Sequence, residues 1–187
     1  TKNGAVYNVI DLTTGEEPTV MHGFKVKTDD TYGSKLFSNR AQPVNPDTGY
    51  TNEIVSISSD YDFLLGSDYI MSCLGGWSER ADSGLETEFI LYKDATVYIF
   101  SSEVNLAAAE QNGWTVRSAA GESDVFMWIQ CDSRGYMGYV LTKKFTDVDK
   151  ISGADVVLTK EMLYTPGKKA GVNFTAIDYE NHIIPTD

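Results

Sequence analysis

The sequence predicts an all-β protein, an antiparallel β-sandwich of jelly-roll-like form with one short helix. Short segments rich in β-branched and aromatic residues recur along the chain, and clusters of Gly, Pro, Asn, Asp and Ser separate them. Only residues 105–112, NLAAAEQN, have a helical composition, and eight residues make about two turns. Many short strands at nearly regular spacing are typical of a sandwich or a barrel.

The clearest strand signal is the segment 86–102, ETEFILYKDATVYIFSS. Its alternation stops at Lys93-Asp94 and resumes directly afterwards, which predicts a β-hairpin. The full set of predicted strands covers residues 5–11, 20–27, 35–38, 51–58, 68–74, 86–92, 95–101, 125–131, 137–145, 154–159 and 171–179.

Size and charge restrict the class of protein. A chain of 187 residues is expected to form one domain, residues 1–187. With 27 acidic and 15 basic residues its formal net charge is -12, so we expect no nucleic acid and no anionic membrane as partner. The first and last residues look like those of a module excised from a longer chain.

Signatures of catalysis are scarce, so the chain is predicted not to be an enzyme. It has no nucleophile elbow, P-loop or zinc-protease motif, and its two histidines, His22 and His182, are expected in packing or surface roles. Glu86 and Glu88 alternate on one face of a predicted strand, and we interpret them as part of a solvated outer face and not as a catalytic pair.

No cofactor is expected. Acid pairs at 29–30, 60/62 and 147/149 offer the oxygen ligands that calcium prefers, which leaves a structural calcium as an alternative, but none fits a twelve-residue calcium loop. Cys73 and Cys131 lie in predicted strands and allow either two buried thiols or one disulfide. Neither has zinc-ligand spacing.

The loop GGWSERADSG holds the first candidate binding site. Trp77 lies among glycines and polar residues, where an exposed indole would be a platform for the C–H face of a sugar. Arg80 and Glu79 beside it can hydrogen-bond hydroxyl groups. A fold-back of Trp77 onto the edge of the core is the alternative.

A second, weaker candidate patch combines aromatic and basic residues, namely Arg134, Tyr136 and Lys143. The other two tryptophans are expected in the core: Trp114 precedes an alternating segment, and Trp128 belongs to VFMWIQC, a strand that is apolar on both faces.

Several segments together resemble a β-sandwich accessory module of bacterial pectate lyases, rhamnogalacturonan lyases and related glycan-degrading enzymes. They are YGSKLFSNR (32–40), YTNEIVSISSDYDFLLGSDYIMS (50–72), FILYKDATVYIFSS (89–102), Gly113-Trp114 and YVLTKKFTDVDKISGADV (139–156). The loop 75–80 and the segment 147–161 depart from the pattern of that family, and residues 1–30 have no counterpart in it.

The resemblance implies a non-catalytic carbohydrate-binding module that targets an appended enzyme to plant cell-wall polysaccharide, either pectin or hemicellulose. Catalytic or dockerin-type domains are then expected in the same parent chain. The resemblance also implies that this longer chain is secreted, with an extracellular or cell-surface-attached location. The negative charge of the chain disfavours polyuronate and favours a neutral glycan. The alternatives are a structural or adhesin-like module with a protein partner, and a glycosidase or polysaccharide lyase.

Overall fold

The computed structural model describes residues 24–26, 31–33, 53–71, 87–130, 134–163, 165 and 173–180. These contain twelve strands and two short α-helices. The strands are β1 (Phe24–Val26), β2 (Thr31–Gly33), β3 (Glu53–Ile57), β4 (Asp68–Met71), β5 (Thr87–Leu91), β6 (Ala95–Ser101), β7 (Thr115–Ser118), β8 (Met127–Gln130), β9 (Arg134–Met137), β10 (Tyr139–Phe145), β11 (Ala154–Leu158) and β12 (Asn173–Tyr179), and the helices are α1 (Leu106–Gln111) and α2 (Lys160–Leu163). Two 3-10 segments cover Ser59–Leu64 and Glu122–Asp124.

The strands form three antiparallel sheets, which confirms the predicted all-β antiparallel class. A six-stranded sheet has the order β2-β4-β12-β6-β10-β7, and two three-stranded sheets have the orders β1-β5-β11 and β3-β8-β9. We call the six-stranded sheet the central sheet, because each of its faces contributes to a separate hydrophobic core.

The first core lies between the central sheet and the β1-β5-β11 sheet. It joins Val97 and Ile99 of β6 to Phe89 and Leu91 of β5, all of them fully buried. The second core lies between the other face of the central sheet and the β3-β8-β9 sheet, where Phe100 of β6 packs with residues of β8 and β9. Successive side chains of a strand point to opposite faces, so β6 supplies both cores.

Strand β12 lies in the middle of the central sheet and is buried over residues 173–177. Its Phe174 is in register with Phe100, and the Phe174 ring stacks on that of Tyr69 at 5.6 Å between centroids. Burial of such a ring contributes roughly 1.5–3 kcal/mol. Strand β12, the last of the described strands, is thereby held in the interior of the molecule.

The predicted hairpin of residues 86–102 is wrong. Strand β5 pairs with β1 and β11, whereas β6 pairs with β10 and β12, so the two strands belong to different sheets. Between them, the carboxylate of Asp94 accepts a hydrogen bond from the backbone N–H of Val148 at 2.8 Å. Lys93-Asp94 is therefore a corner that carries the chain across the first core, and the two strands meet through side chains instead of backbone hydrogen bonds.

The predicted strand 137–145 is divided at Gly138. Met137 ends β9 in one sheet and Tyr139 starts β10 in the central sheet, so one residue separates two layers. Apolar alternation continues through the break because each half faces a core, and for that reason the sequence pattern shows no boundary there.

The predicted short helix is confirmed as α1. Asn105 caps it by accepting a hydrogen bond from the backbone N–H of Ala108 at 3.2 Å, and Trp114, which follows the helix, is only 4% exposed, as expected for a core residue. The sequence pattern does not indicate α2. No helix within the described ranges has the length and apolar character needed to cross a membrane.

Candidate functional site

Several residues for which the sequence predicts a role lie outside the described residues. This applies to the first candidate site and to several single residues, namely Trp77, Glu79, Arg80, His22, His182, Glu86, Cys73 and Cys131. Glu88 is described and lies on β5 opposite Val157, which is 45% exposed. Glu88 is therefore on the outer face of its sheet, as predicted.

The structure divides the second candidate patch between two sheets. Arg134 and Tyr136 belong to β9, whereas Lys143 belongs to β10 of the central sheet. The Lys143 ammonium donates a hydrogen bond to the backbone oxygen of Asn112 at 3.0 Å and lies 5.7 Å from the centroid of the Trp114 ring. Lys143 thus covers the edge of the first core, and Tyr136 has other neighbours.

Trp128 is a neighbour of Tyr136, and the prediction that Trp128 lies in the interior is wrong. The neighbouring Met127 is fully buried in the second core, and alternation puts Trp128 on the opposite, outer face of the small sheet. Trp128 is half-buried, its ring centroid is 5.6 Å from that of Tyr136, and Tyr136 is 39% exposed. We call this pair the Trp128–Tyr136 surface.

A cleft that the sequence did not indicate opens at the end of the central sheet, with a volume of about 330 Å³. We call it the end cleft. It is lined by Phe63, Asp94, Ala95, Thr96, Lys144, Phe145, Asp178, Tyr179 and Glu180. The volume is in the range of small-molecule sites, which run from about 300 to 1,000 Å³.

A row of three polar residues forms part of the lining of the end cleft. Asp178 of β12 is in register with Thr96 of β6, and Thr96 is in register with Lys144 of β10. Residues paired in this way share a face, and their Cβ atoms are about 5 Å apart. The row offers a carboxylate acceptor, a hydroxyl that both donates and accepts, and an ammonium donor.

An aromatic wall stands beside this row. Phe63, in the 3-10 segment Ser59–Leu64, is 37% exposed and its ring lies edge-on to that of Tyr98 at 5.3 Å. Tyr61 of the same segment packs against the central sheet, with its ring centroid 5.1 Å from that of Phe100. Burial, followed by the charge of Asp178, raises the pKa of Tyr98, so its phenol stays protonated at neutral pH.

Arg117 of the edge strand β7 ties the 3-10 segment to the central sheet. Its guanidinium forms an ion pair with Asp60 at 2.9 Å, donates a hydrogen bond to the Tyr61 hydroxyl at 3.3 Å and lies 4.7 Å from the Phe126 ring centroid. These hydrogen bonds raise the pKa of Arg117. The position of Phe63 thus depends on the contacts of Asp60 and Tyr61, which precede it in the same short segment.

Tyr179 also lines the end cleft. Lys93 places its ammonium 3.9 Å from the centroid of the Tyr179 ring, and burial raises the pKa of the Tyr179 phenol, with a smaller contribution from Asp68. Asp68 itself is 9% exposed, and burial raises the pKa of its carboxyl to about 7 even though the charge of Lys93 acts in the other direction.

One member of each described acid pair considered for calcium has a protein partner. Asp60 is bound to Arg117, and Asp149 accepts hydrogen bonds from the backbone N–H groups of Ile151 and Ser152, which lower its pKa. Among the residues with described side chains, no group of three or more His, Cys, Asp or Glu could hold a metal ion. The pair at 29–30 lies outside the described residues.

The end cleft escapes sequence reasoning because its parts come from distant places. Thr96, Lys144 and Asp178 carry no shared motif, and only the order β12-β6-β10 makes them neighbours. The one available signal is Phe63, an aromatic residue in the polar stretch SSDYDF. Comparison with protein-family models, with curated proteins and with solved structures gave no match to this chain, so the resemblance to lyase accessory modules stays a prediction.

Proposed function

We propose that this chain is a non-catalytic carbohydrate-binding module that holds a polysaccharide in the end cleft. One observation carries the proposal: Asp178, Thr96 and Lys144 form a row beside the exposed ring of Phe63. Sugars combine apolar C–H faces with hydroxyls that donate and accept hydrogen bonds, and a site of this composition matches both features.

The dimensions support an oligosaccharide as ligand. Adjacent strands are about 4.8 Å apart, so the row across β12, β6 and β10 spans about 10 Å. That distance is comparable to two linked sugar rings. Because Lys144 and Glu180 at the cleft are exposed, a longer chain can continue past the two bound units.

The proposal contains no bond-breaking step. In line with the resemblance, the module would hold an enzyme of its parent chain against plant cell-wall polysaccharide. Incubation with a panel of pectins and hemicelluloses should release neither reducing sugar nor unsaturated product. Release of either would support the alternative of a glycosidase or lyase.

Affinity electrophoresis against soluble xylan, xyloglucan, galactan and pectin tests binding directly. Loss of a stacking ring costs roughly 1–1.5 kcal/mol, so Phe63→Ala should weaken binding about tenfold. Thr96→Val, which removes one hydroxyl at nearly constant shape, should weaken binding about threefold to tenfold.

Tyr136→Ala is the matched control, because it truncates an exposed ring on the Trp128–Tyr136 surface and leaves the end cleft intact. It should bind like the wild type. If Tyr136→Ala alone loses binding, the glycan sits on the Trp128–Tyr136 surface and the end cleft is not the site. Absence of binding by the wild type to every glycan tested would refute the proposed function.

A further inference from the structure

We infer that the end cleft selects neutral glycans and rejects polyuronates, with Asp178, Glu180 and Asp94 as the residues that determine this specificity. The inference rests on the proposed function. Its basis is the charge of the lining: three carboxylates stand against one ammonium group, that of Lys144.

A further cation beside this lining, Lys93, does not reverse the balance. The ammonium of Lys93 lies over the ring of Tyr179, which is a lining residue, so the positive charge of Lys93 acts on a ligand in the end cleft. With Lys93 counted, three carboxylates still oppose two ammonium groups. A uronate in the cleft therefore meets net repulsion.

The structure restricts the positions of these carboxylates. Asp94 is held by the backbone N–H of Val148 at 2.8 Å, at the corner between β5 and β6. Asp178 occupies a fixed register position beside Thr96 on the face that contacts the sugar. Glu180 directly follows β12 and is exposed at the cleft.

The charge of the cleft can be separated from the charge of the whole chain. At physiological ionic strength the Debye length is about 8 Å, so most of the net charge of -12 is screened while carboxylates in the cleft still act on a bound ligand. Discrimination that persists at 0.15 M NaCl is therefore local to the end cleft.

The experiment uses a matched pair of ligands in the presence of a chelator, which removes bridging calcium. One ligand is the neutral glycan that binds in the screen above, and the other is the same glycan with its primary alcohols oxidised to carboxylates. Xylose units have no primary alcohol, so for xylan the oxidised form is xylan that carries glucuronic acid side groups. By calorimetry at 0.15 M NaCl, the oxidised form should bind at least about tenfold more weakly to the wild type.

Three variants locate the cause. Glu180→Gln removes one charge at the cleft and should reduce the difference in affinity, expressed as the ratio of the dissociation constants of the two ligands, about threefold or more. Glu110→Gln removes one charge from α1, outside the cleft, and should leave the difference unchanged. Asp178→Asn should narrow the difference and also weaken the neutral glycan, because Asp178 belongs to the sugar-contacting row.

Each outcome has a separate meaning. Equal or tighter binding of the oxidised glycan, or a screen in which only acidic glycans bind, would overturn the inference and leave the proposed function standing. An equal effect of Glu110→Gln and Glu180→Gln would also overturn it, since the charge of the whole chain would then suffice. Absence of binding to any glycan removes the proposed function, and the inference with it.

Discussion

Asp68 should make the stability of this protein depend on pH in the direction opposite to that of an ordinary ion-paired aspartate. Burial raises the pKa of its carboxyl from 3.8 to about 7. The folded state therefore binds the proton more tightly than the unfolded state does. The contribution to stability is greatest below about pH 4, declines as the pH rises from about 4 to 7, and reaches its minimum above pH 7.

The magnitude follows from the two pKa values. One pKa unit corresponds to about 1.36 kcal/mol, so the interval between 3.8 and about 7 corresponds to roughly 4 kcal/mol. This is an upper bound on the change in the free energy of unfolding between pH 4 and pH 8 that Asp68 can cause. Asp68→Asn removes the titrating group and keeps nearly the same shape.

Urea denaturation of the wild type and Asp68→Asn at pH 4.5, 6, 7.5 and 8.5 measures this effect, because titration of all other groups cancels in the difference. The stability of the variant relative to the wild type should rise by about 2–4 kcal/mol from pH 4.5 to 7.5 and then stay level. Asp149→Asn is the control. Backbone hydrogen bonds lower the pKa of Asp149 below its ordinary value of 3.8, so its stabilising effect is lost only below about pH 4 and the stability of this variant relative to the wild type should stay level from pH 4.5 to 8.5. If the stability of Asp68→Asn relative to the wild type stays flat or falls as the pH rises, the reasoning is refuted.

Three further predictions concern the scaffold. Gly153→Ala should lower the free energy of unfolding by roughly 2–4 kcal/mol in urea denaturation, because Gly153 has a φ of +73° and a new Cβ would lie 2.7 Å from the carbonyl oxygen of Leu91. Gly121→Ala is the control and should be nearly neutral, because a new Cβ there would have no atom within 4 Å. Equal effects of the two substitutions would contradict this account. Asn105→Ala should lower the free energy of unfolding by about 1 kcal/mol through loss of the α1 cap, and an unchanged unfolding midpoint would argue against that role. Arg117→Lys keeps the charge but loses the two hydrogen bonds of the guanidinium to Asp60 and Tyr61 in the 3-10 segment. Amide hydrogen exchange at residues 59–64 should therefore become faster, while exchange in β6 stays the same. Unchanged exchange at residues 59–64 would show that Arg117 does not hold the segment.

Local signals in the sequence are sufficient for the class of fold and for several elements. Alternation and turn residues predict most of the described strands, and β6 agrees with its prediction at both ends, Ala95 and Ser101. Asn105 and the alanines after it predict α1. These features are local because backbone preference, side-chain alternation and capping involve residues only a few positions apart.

Which strands pair, and which faces remain open, was decided by the tertiary structure alone. The segment 86–102 has the pattern of a hairpin, but β5 and β6 have other partners, because burial of Phe89 and Ile99 in one core requires the strands to face each other across it. The end cleft likewise exists only because β12 lies next to β6. Pairing between distant strands is set by the packing of whole sheets, which no window of the sequence contains, whereas the all-β class was already determined by the residues themselves.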